Sequence, residues 1–467
     1  MKYVSTRGSA PELGFADVLL AGLARDGGLY VPEAWPMLSR EAIAGFQDMS
    51  YVDVAVTAIR PYVGADIAEA TLKNMCLEAY ATFETPSVAP LVEIEPGQWL
   101  LELFHGPTLA FKDVAMQLLA RLMDHVLQTR NLRVTIVGAT SGDTGGAAIE
   151  AFKDRDNVDV FILFPKGRVS PIQQRQMTTA GADNVHAIAV EGTFDDCQAI
   201  VKGMFNNERF RDQVALAGVN SINFARILAQ IVYYFTAAAP LGAPEKAVSF
   251  TVPTGNFGDI FAGYSAKRVG LPVERLVIAT NTHDILARTL ESGRYELRPV
   301  TATASPSMDI QVSSNFERLL FEVLGRDGAA VRRLMDDLKN GSFTLDATAL
   351  SAVRRDFAAG RADEDETSRT MRDIYEKFGR LIDPHTAVGL SVARRLAQPG
   401  VPMITLATAH PAKFPAAVRA ATGQEPPLPG AVGDLMVRPE KLTAIANDQG
   451  AVERFIAGRS RALMEKA

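Results

Sequence analysis

The sequence contains little cysteine: Cys76 and Cys197 are the only two among 467 residues. Two cysteines so far apart exclude a local cysteine motif for metal binding or redox chemistry, and two cysteines do not imply a disulfide framework. Because scarce cysteine is typical of a reducing compartment, we expect a cytoplasmic protein.

A surplus of basic residues is also missing. Lys and Arg number 48 and Asp and Glu number 54, which gives a formal net charge of −6. This charge argues against a nucleic-acid-binding protein, which would need a basic face. It does not exclude a small anionic substrate held in a local pocket.

The sequence predicts neither a signal peptide nor a membrane-spanning segment. The most apolar stretch near the N-terminus, residues 15–24, is interrupted by Asp17, and no processing site follows it. The longest stretch without a formal charge, residues 227–244, only just reaches the length of about 18 residues that a spanning helix needs. Because Gln230 and Pro240 interrupt it, we expect a buried helix followed by a loop, and no membrane partner.

One acidic cluster, Asp-Glu-Asp-Glu at residues 363–366, stands out. Carboxylates at the start of a helix complement the helix dipole. We therefore interpret the cluster as a solvated helix N-terminus rather than a metal site, and we expect no metal ion.

Short apolar runs rich in β-branched residues alternate with helical patterns from about residue 130, whereas the first 85 residues are mostly helical in pattern. The runs lie at residues 133–137, 158–164, 187–190, 248–252, 276–280 and 403–406. Such alternation predicts an α/β protein with parallel sheets covered by helices on both faces. In these sheets ligands bind beyond the carboxyl ends of the strands.

A glycine-rich turn follows the first of these runs and contains Ser141, Gly142, Asp143 and Thr144. Glycine lets the backbone approach a ligand closely, and the unpaired N–H groups that open a helix favour an anion. The alternative is plain helix capping by Ser141 or Thr144. The turn matches neither the dinucleotide-binding fingerprint nor the nucleotide P-loop, which needs a lysine.

Two further strand-to-helix junctions have a similar character. Residues 255–259, Gly-Asn-Phe-Gly-Asp, follow the run at 248–252, and Thr408 follows the run at 403–406. Two glycine turns in one chain indicate two anionic groups, such as a phosphate and a carboxylate. The alternatives are an ordinary turn at 255–259 and a helix cap at Thr408.

Lys112 is the candidate nucleophile. It follows a Gly-Pro turn and has apolar Leu109, Ala110 and Phe111 before it. A lysine in apolar surroundings loses part of its preference for the charged form, and its neutral amine can form a Schiff base with an aldehyde. From the residues alone, a lysine whose ammonium merely reaches solvent is the competing interpretation.

The residues around Lys112 resemble the pyridoxal-phosphate (PLP) attachment site of fold-type II PLP enzymes, with Glu102, Thr108, Ala110 and Phe111 in the corresponding places. Nearly the whole chain resembles the threonine synthase family of the bacterial and fungal subgroup. The matching segments, in family order, are residues 3–8, 104–113, 141–145, 220–226, 255–259, 307–310 and 408–414.

The resemblance implies a role for each candidate residue. Lys112 would attach PLP and act in catalysis, and Thr408 would meet the pyridine nitrogen. The cofactor phosphate would be held by Gly255, Asn256, Phe257, Gly258 and Asp259. The substrate carboxylate would face Ser141, Gly142, Asp143 and Thr144. The substrate phosphate would be bound by Ser221, Asn223 and Arg226, although a surface ion pair is the alternative for Arg226.

The resemblance also implies a fold-type II architecture with two parallel-sheet α/β domains and a mainly helical N-terminal segment. We expect an N-terminal segment at residues 1–85 and a large PLP-binding domain at 86–130 and 245–467. A smaller α/β domain at 131–244 would carry the carboxylate loop. Residues 307–318 are a candidate lid over the site.

The implied reaction converts O-phospho-L-homoserine and water to L-threonine and phosphate. A related phospho-lyase would release 2-oxobutyrate, ammonia and phosphate from the same substrate. A PLP-binding protein without turnover and a structural protein without PLP are the remaining alternatives. The sequence leaves the oligomeric state open.

Overall fold

The computed structural model describes residues 1–464. Its strands are β1 (Tyr3–Ser5), β2 (Tyr30–Pro32), β3 (Leu91–Glu95), β4 (Gln98–Glu102), β5 (Val134–Ala139), β6 (Val158–Pro165), β7 (Val185–Glu191), β8 (Leu216–Ala217), β9 (Val248–Pro253), β10 (Val273–Thr280), β11 (Arg294–Glu296), β12 (Ser342–Thr344), β13 (Phe357–Arg361), β14 (Met403–Ala407) and β15 (Thr443–Ala446).

Helices connect most of these strands. They are α1 (Phe15–Ala21), α2 (Arg40–Gly45), α3 (Tyr51–Val63), α4 (Glu69–Tyr80), α5 (Lys112–Arg130), α6 (Asp143–Phe152), α7 (Pro171–Thr178), α8 (Phe194–Asn206), α9 (Glu208–Gln213), α10 (Phe224–Ala238), α11 (Gly258–Val269), α12 (Ile285–Ser292), α13 (Phe316–Val323), α14 (Gly328–Leu338), α15 (Ala347–Asp356), α16 (Glu364–Phe378), α17 (Pro384–Leu396), α18 (Pro415–Thr422), α19 (Gln449–Ala457) and α20 (Arg461–Met464).

A five-stranded sheet has the strand order β15-β7-β6-β5-β8, with every neighbouring pair parallel. The predicted strands at 133–137, 158–164 and 187–190 are β5, β6 and β7. In β6 every residue is buried, as expected for a central strand with helices on both faces.

A six-stranded sheet has the order β13-β10-β9-β14-β4-β3. Its pairs are parallel, except that β3 and β4 form an antiparallel hairpin at one edge. The predicted strands at 248–252, 276–280 and 403–406 are β9, β10 and β14. Together the two sheets confirm the predicted α/β class with parallel sheets.

The N-terminal segment is mainly helical, as predicted, and packs on α10. The short pair β1 and β2 is its only strand pairing within the described residues. Tyr3 of β1 lies edge-on to Phe224 of α10, with ring centroids 5.3 Å apart. Apolar residues of α3 and α4 belong to the same buried cluster.

Helix α10 is the buried helix predicted within residues 227–244. Residues 224–241 are long and apolar enough to cross a membrane by length and composition, yet 83% of this stretch is buried inside the protein. It is therefore a core helix, which brings Arg226 and Tyr233 into the interior.

The C-terminal part returns to the five-stranded sheet. Strand β15 adds parallel to β7, and α20 begins with Arg461, which binds Asp159 of β6. The predicted division places β15 and α20 in the large domain, at residues 86–130 and 245–467, and did not anticipate their contacts with the five-stranded sheet. The domain division itself stays a prediction.

The acidic cluster at residues 363–366 begins a helix, as predicted. Asp363 caps α16 through a capping box with Glu366.

Candidate active site

The candidate cofactor-binding residues meet at the carboxyl end of the six-stranded sheet. Strands β9, β14 and β4 are consecutive parallel neighbours, so their carboxyl ends lie side by side. Beyond these ends lie the 255–259 turn, Thr408 and Lys112. The Phe111 N–H donates to the Thr408 carbonyl at 2.9 Å, which joins the last two loops directly.

Lys112 is the first residue of α5 and is buried, with 8% of its surface exposed. Its Nζ lies 3.5 Å from Asp143 Oδ2 and 4.6 Å from the centroid of the Phe111 ring. Burial lowers the pKa of the Lys112 amine; Lys413 and Arg226 lower it further, while Asp143 opposes them. The alternative in which the ammonium reaches solvent is therefore wrong.

Asp113 fixes the turn that precedes Lys112. The Thr108 N–H and hydroxyl donate to the two Asp113 carboxylate oxygens at 2.8 and 2.6 Å. Burial raises the pKa of Asp113 to about 6, against the hydrogen bonds from Thr108 and the charge of Lys413. These two hydrogen bonds hold the 108–113 turn at the start of α5, and so they help to fix the backbone position of Lys112.

The 141–144 turn comes from the other sheet, at the carboxyl end of β5. Neither Ser141 nor Thr144 caps α6; instead the Thr140 hydroxyl accepts from the Gly142 and Gly145 N–H groups, each at 3.0 Å. Gly142 has a φ of 148°, and a Cβ there would lie 2.4 Å from the Gln173 side chain. Ordinary capping by Ser141 or Thr144 is thus wrong, and the turn requires glycine.

Asp143 is the charged centre of this turn. Its Oδ1 accepts from Lys413 Nζ at 2.8 Å and from Gln173 Nε2 at 2.9 Å, while Oδ2 faces Lys112. Burial alone would raise the pKa of Asp143, but Lys413 and Lys112 hold it well below its ordinary value. Asp143 is therefore a carboxylate, and its charge is already compensated.

The 255–259 turn has the geometry of an anion cradle. The N–H groups of Gly255, Asn256, Phe257 and Gly258 donate to no acceptor within residues 1–464, and they precede the positive end of α11. The Gly255 and Asn256 carbonyls, by contrast, are engaged by the Ser313 hydroxyl at 2.6 Å and by Asn315 at 2.9 Å. The carbonyls thus point away from the turn's free donors.

Two tyrosines of α10 hold Asp259. The hydroxyls of Tyr233 and Tyr234 both donate to Asp259 Oδ1, and Tyr234 also donates to the Asp259 carbonyl at 2.9 Å. Asp259 Oδ2 is buried without a hydrogen-bond partner among the described residues. Burial raises the pKa of Asp259 to about 6, although the tyrosines and Lys112 act in the opposite direction.

Thr408 is buried, and its hydroxyl makes no hydrogen bond within the described part of the chain. The following 3-10 turn, Pro411–Lys413, is capped by the His410 side chain. The helix-capping alternative for Thr408 is therefore wrong, and its hydroxyl stays available at the carboxyl end of β14.

Arg226 is 4% exposed and has no carboxylate partner within residues 1–464, so the surface ion pair is wrong. Its Nη1 donates to the Val219 carbonyl at 3.3 Å, and its Nε has no hydrogen-bond partner among the residues that the structure describes. Burial lowers the pKa of Arg226 to about 10.

The other two residues predicted to bind the substrate phosphate lie in the segment just before Arg226. Ser221 is half-buried. Asn223 caps α10, with its amide bound to the Ala225 N–H and the Leu19 carbonyl.

Sequence reasoning missed three residues that connect these parts. Lys413 is fully buried between Asp143 and the Thr108 carbonyl. Asn315, within the candidate lid, bridges the Asn256 and Ser221 carbonyls, and buried Arg318 supports its Oδ1. The apolar context that singled out Lys112 also surrounds Lys413, which lies between Ala412 and Phe414; the long-range contacts of Asn315 and Arg318 leave no local signal.

The family descriptions that match the chain cover it almost from end to end. "Threonine synthase N terminus" matches residues 2–80, "Pyridoxal-phosphate dependent enzyme" residues 84–402, and "Threonine synthase, C-terminal" residues 386–456. The threonine synthase of Pseudomonas aeruginosa is 52% identical over 460 residues, which cover 98% of both chains.

Two solved structures of threonine synthases have the same fold as this chain over nearly its full length. The PLP-bound threonine synthase from Brucella melitensis superposes with a TM-score of 0.97 at 62% identity, covering 99% of this chain and all of that one. The yeast threonine synthase has a TM-score of 0.93 at 41% identity, covering 100% of this chain and 99% of that one.

The residues present fit PLP. Lys112 offers a buried amine with a lowered pKa to an aldehyde, and the free N–H groups at 255–258 offer donors to a phosphate. A Cβ at Gly255 would lie 2.5 Å from the Ser307 carbonyl oxygen, so the turn is closed to larger residues at that point. By sequence, architecture and site chemistry, this chain belongs to the PLP-dependent threonine synthase family.

Proposed function

We propose that the enzyme converts O-phospho-L-homoserine and water to L-threonine and inorganic phosphate. The observation that carries this proposal is one buried amine surrounded by groups suited to anions. Arg226 and Lys413 both lower the pKa of Lys112, so the three cationic groups act on one another within a single site, and the N–H groups of residues 255–258 have no acceptor among the described residues. A substrate with both a carboxylate and a phosphate matches this charge pattern.

We assign the residues as follows. Lys112 would attach the cofactor, the 255–259 turn would hold its phosphate, and Thr408 would be the partner of its ring nitrogen. The N–H groups of Ser141, Asp143 and Thr144, which have no acceptor among the described residues, would bind the substrate carboxylate. Arg226, with Ser221 and Asn223, would bind the substrate phosphate. Free Nε–H on Arg226 supports its part in this assignment.

When bound, PLP supplies an electron sink for bonds broken at the substrate α carbon. The lowered pKa of Lys112 makes the loss of a proton from Nζ easier than for an exposed lysine, which suits an amine that accepts a proton from carbon and returns it. Asp143, although negative, does not repel a carboxylate strongly, because Lys413 and Gln173 already bind it. Asn315 holds the turns at 255–258 and 221 at a fixed separation.

A product assay tests the proposal. The purified holoenzyme is given O-phospho-L-homoserine in ¹⁸O-labelled water, and phosphate, threonine, 2-oxobutyrate and ammonia are measured. We expect threonine equal to phosphate, with one labelled oxygen in the threonine hydroxyl. Stoichiometric 2-oxobutyrate and ammonia would instead identify the phospho-lyase, and PLP binding without phosphate release a protein without turnover.

For the cellular location we propose the cytoplasm. Cys76 and Cys197 are both buried and unpaired, which is compatible with a reducing compartment. Fluorescence microscopy or fractionation of the tagged protein tests this, and recovery from an extracytoplasmic fraction would contradict it.

A further inference from the structure

We propose that Lys413 is a positioning residue that holds Asp143, and with it the 140–144 turn, in place across the junction between the two sheets. The inference rests on the proposed function, because it concerns the turn assigned to the substrate carboxylate. Lys413 itself touches neither of the groups assigned to the substrate; it acts through Asp143.

The position of Lys413 supports this role. It ends the 3-10 turn after β14 of the six-stranded sheet, and it is 0% exposed. A lysine is almost never fully buried unless its charge is paired. Its Nζ donates to Asp143 Oδ1 at 2.8 Å and to the Thr108 carbonyl at 2.7 Å.

These two contacts join different parts of the molecule. Asp143 opens α6 after β5 of the five-stranded sheet, whereas Thr108 belongs to the turn that leads into Lys112. One ammonium therefore ties the start of α6 to the segment that carries the attachment lysine. Gln173 on α7 completes the environment of Asp143 Oδ1 and closes over Gly142.

Asp143 has two cationic partners, and they are not equivalent. Lys413 is at 2.8 Å, and Lys112 at 3.5 Å. When Lys112 condenses with an aldehyde, its nitrogen replaces the carbonyl oxygen, which leaves as water, and at most one of the three ammonium N–H donors remains. Lys413, in contrast, keeps its three N–H donors and its full ammonium charge beside Asp143.

Loss of the Lys413 charge would leave a buried carboxylate short of its main partner. The other titratable groups around this pair are Lys112, Arg226, Asp113 and His410, and none of the last three contacts the Asp143 carboxylate. Because burial disfavours the ionised form, Asp143 would take up a proton at a higher pH and the turn would lose its anchor.

The test uses the PLP-loaded enzyme with Lys413→Met, Lys413→Arg, Asp143→Asn and the double variant Lys413→Met/Asp143→Asn. Amide hydrogen exchange of a peptide spanning residues 140–146 is followed by mass spectrometry, and kcat/KM is measured against pH. For Lys413→Met we expect exchange at least tenfold faster than in the wild type, and an acid limb in kcat/KM that lies at a higher pH than that of the wild type.

The conservative variant and the double variant distinguish a role of Lys413 through Asp143 from a general effect on stability. Lys413→Arg should stay within threefold of the wild type in exchange. The double variant should exchange fast but show no such shift of the acid limb, because the amide that replaces the carboxylate cannot titrate. If Lys413→Met yields no folded protein, Lys413→Arg and the double variant decide by these same criteria.

Wild-type exchange in both Lys413→Met and the double variant would overturn the proposal, as would a shift of the acid limb that persists without the Asp143 carboxylate. Failure of the proposed function is seen separately, since it would appear as absence of threonine from the wild-type enzyme.

Discussion

Single residues of the site carry positive charge that the protein only partly neutralises. Lys112, Lys413 and Arg226 are each less than 10% exposed, and Asp143 is the one carboxylate ion-paired with any of them within residues 1–464. Uncompensated buried charge is costly. The excess is therefore explained by the anionic groups that we propose to bind here.

Arg226→Gln tests the anion site. We expect kcat/KM for O-phospho-L-homoserine to fall roughly 10- to 100-fold, because a hydrogen bond to a charged group contributes about 1.5–3 kcal/mol. Steady-state kinetics with inorganic phosphate as a competing inhibitor should show weaker inhibition as well. The control is Arg288→Gln, since Arg288 is also largely buried but is paired with Asp284. Equal effects of both variants would contradict the assignment.

Asp113→Asn tests the carboxyl group beside Lys112. The folded-state pKa of Asp113 is raised from 3.8 to about 6, so its contribution to stability is fully present below pH 4 and is lost as pH rises through 6. The free energy of unfolding of the wild type relative to Asp113→Asn should fall by up to about 3 kcal/mol between pH 4 and 7. Urea unfolding at several pH values measures this difference; a constant difference would show that the pKa is not raised.

At the scale of single residues, the sequence identified the candidate site residues that lie in recognisable turns. Lys112 is buried, and the 255–259 turn, of which only Phe257 and Asp259 are buried, lies with it at the carboxyl ends of neighbouring strands, as the pattern indicated. Lys413 was not singled out, because its importance comes from Asp143, 270 positions earlier in the chain. The roles of Ser221 and Asn223 stay predictions, and the Asn223 amide is already engaged by the protein.

At the scale of elements, strand ends position the chemistry. The three neighbouring strands β9, β14 and β4 each end in a segment of the site, and α5 and α11 begin there. Phe257 adopts a left-handed backbone conformation, with φ 63°, at the start of α11 and packs against Phe316 at a centroid distance of 5.3 Å. The aromatic contact supports a turn geometry that a non-glycine residue rarely adopts.

Gly255→Ala tests the cradle. The added Cβ would meet the Ser307 carbonyl oxygen at 2.5 Å, and overpacking of this kind costs about 1–3 kcal/mol. We expect PLP to dissociate roughly tenfold or more readily, measured by absorbance titration of the apoprotein. Gly430→Ala is the matched control, because a Cβ there meets nothing within 4 Å. Unchanged PLP affinity in Gly255→Ala would contradict the assigned cofactor phosphate site.

The elements that sequence reasoning missed have weak local patterns. Strand β13, Phe-Ala-Ala-Gly-Arg, contains no β-branched residue, and β4, Gln-Trp-Leu-Leu-Glu, contains none either. Both are strands because their neighbours in the sheet supply hydrogen-bond partners. The six β-branched runs, in contrast, were strong enough to be recognised without those neighbours.

At the scale of the whole molecule, the chain crosses between its two sheets more than once. After β14 it returns to add β15 to the five-stranded sheet, and Arg461 binds buried Asp159 through its backbone N–H and Nε, both at 2.7 Å. The order of strands in each sheet depends on such long-range contacts, which no local pattern reveals.

Arg461→Ala tests the contribution of this return segment. Asp159 would keep only the backbone donor from residue 461; because Asp159 is buried while the Arg461 side chain is 36% exposed, we expect a loss of about 1–3 kcal/mol. Urea unfolding should show a lower midpoint than the wild type. Arg454→Ala, which removes a side chain that is 78% exposed, should leave the midpoint nearly unchanged. Equal midpoints for all three proteins would show that the segment does not stabilise the five-stranded sheet.

The most direct test of the account is to trap the cofactor on the protein. The holoenzyme is reduced with borohydride and digested, and the peptides are mapped by mass spectrometry. We predict a pyridoxyl group on Lys112 in each chain and none on Lys413, although both lysines are buried within reach of Asp143. A label on Lys413, on another lysine or on no residue would contradict the site described above.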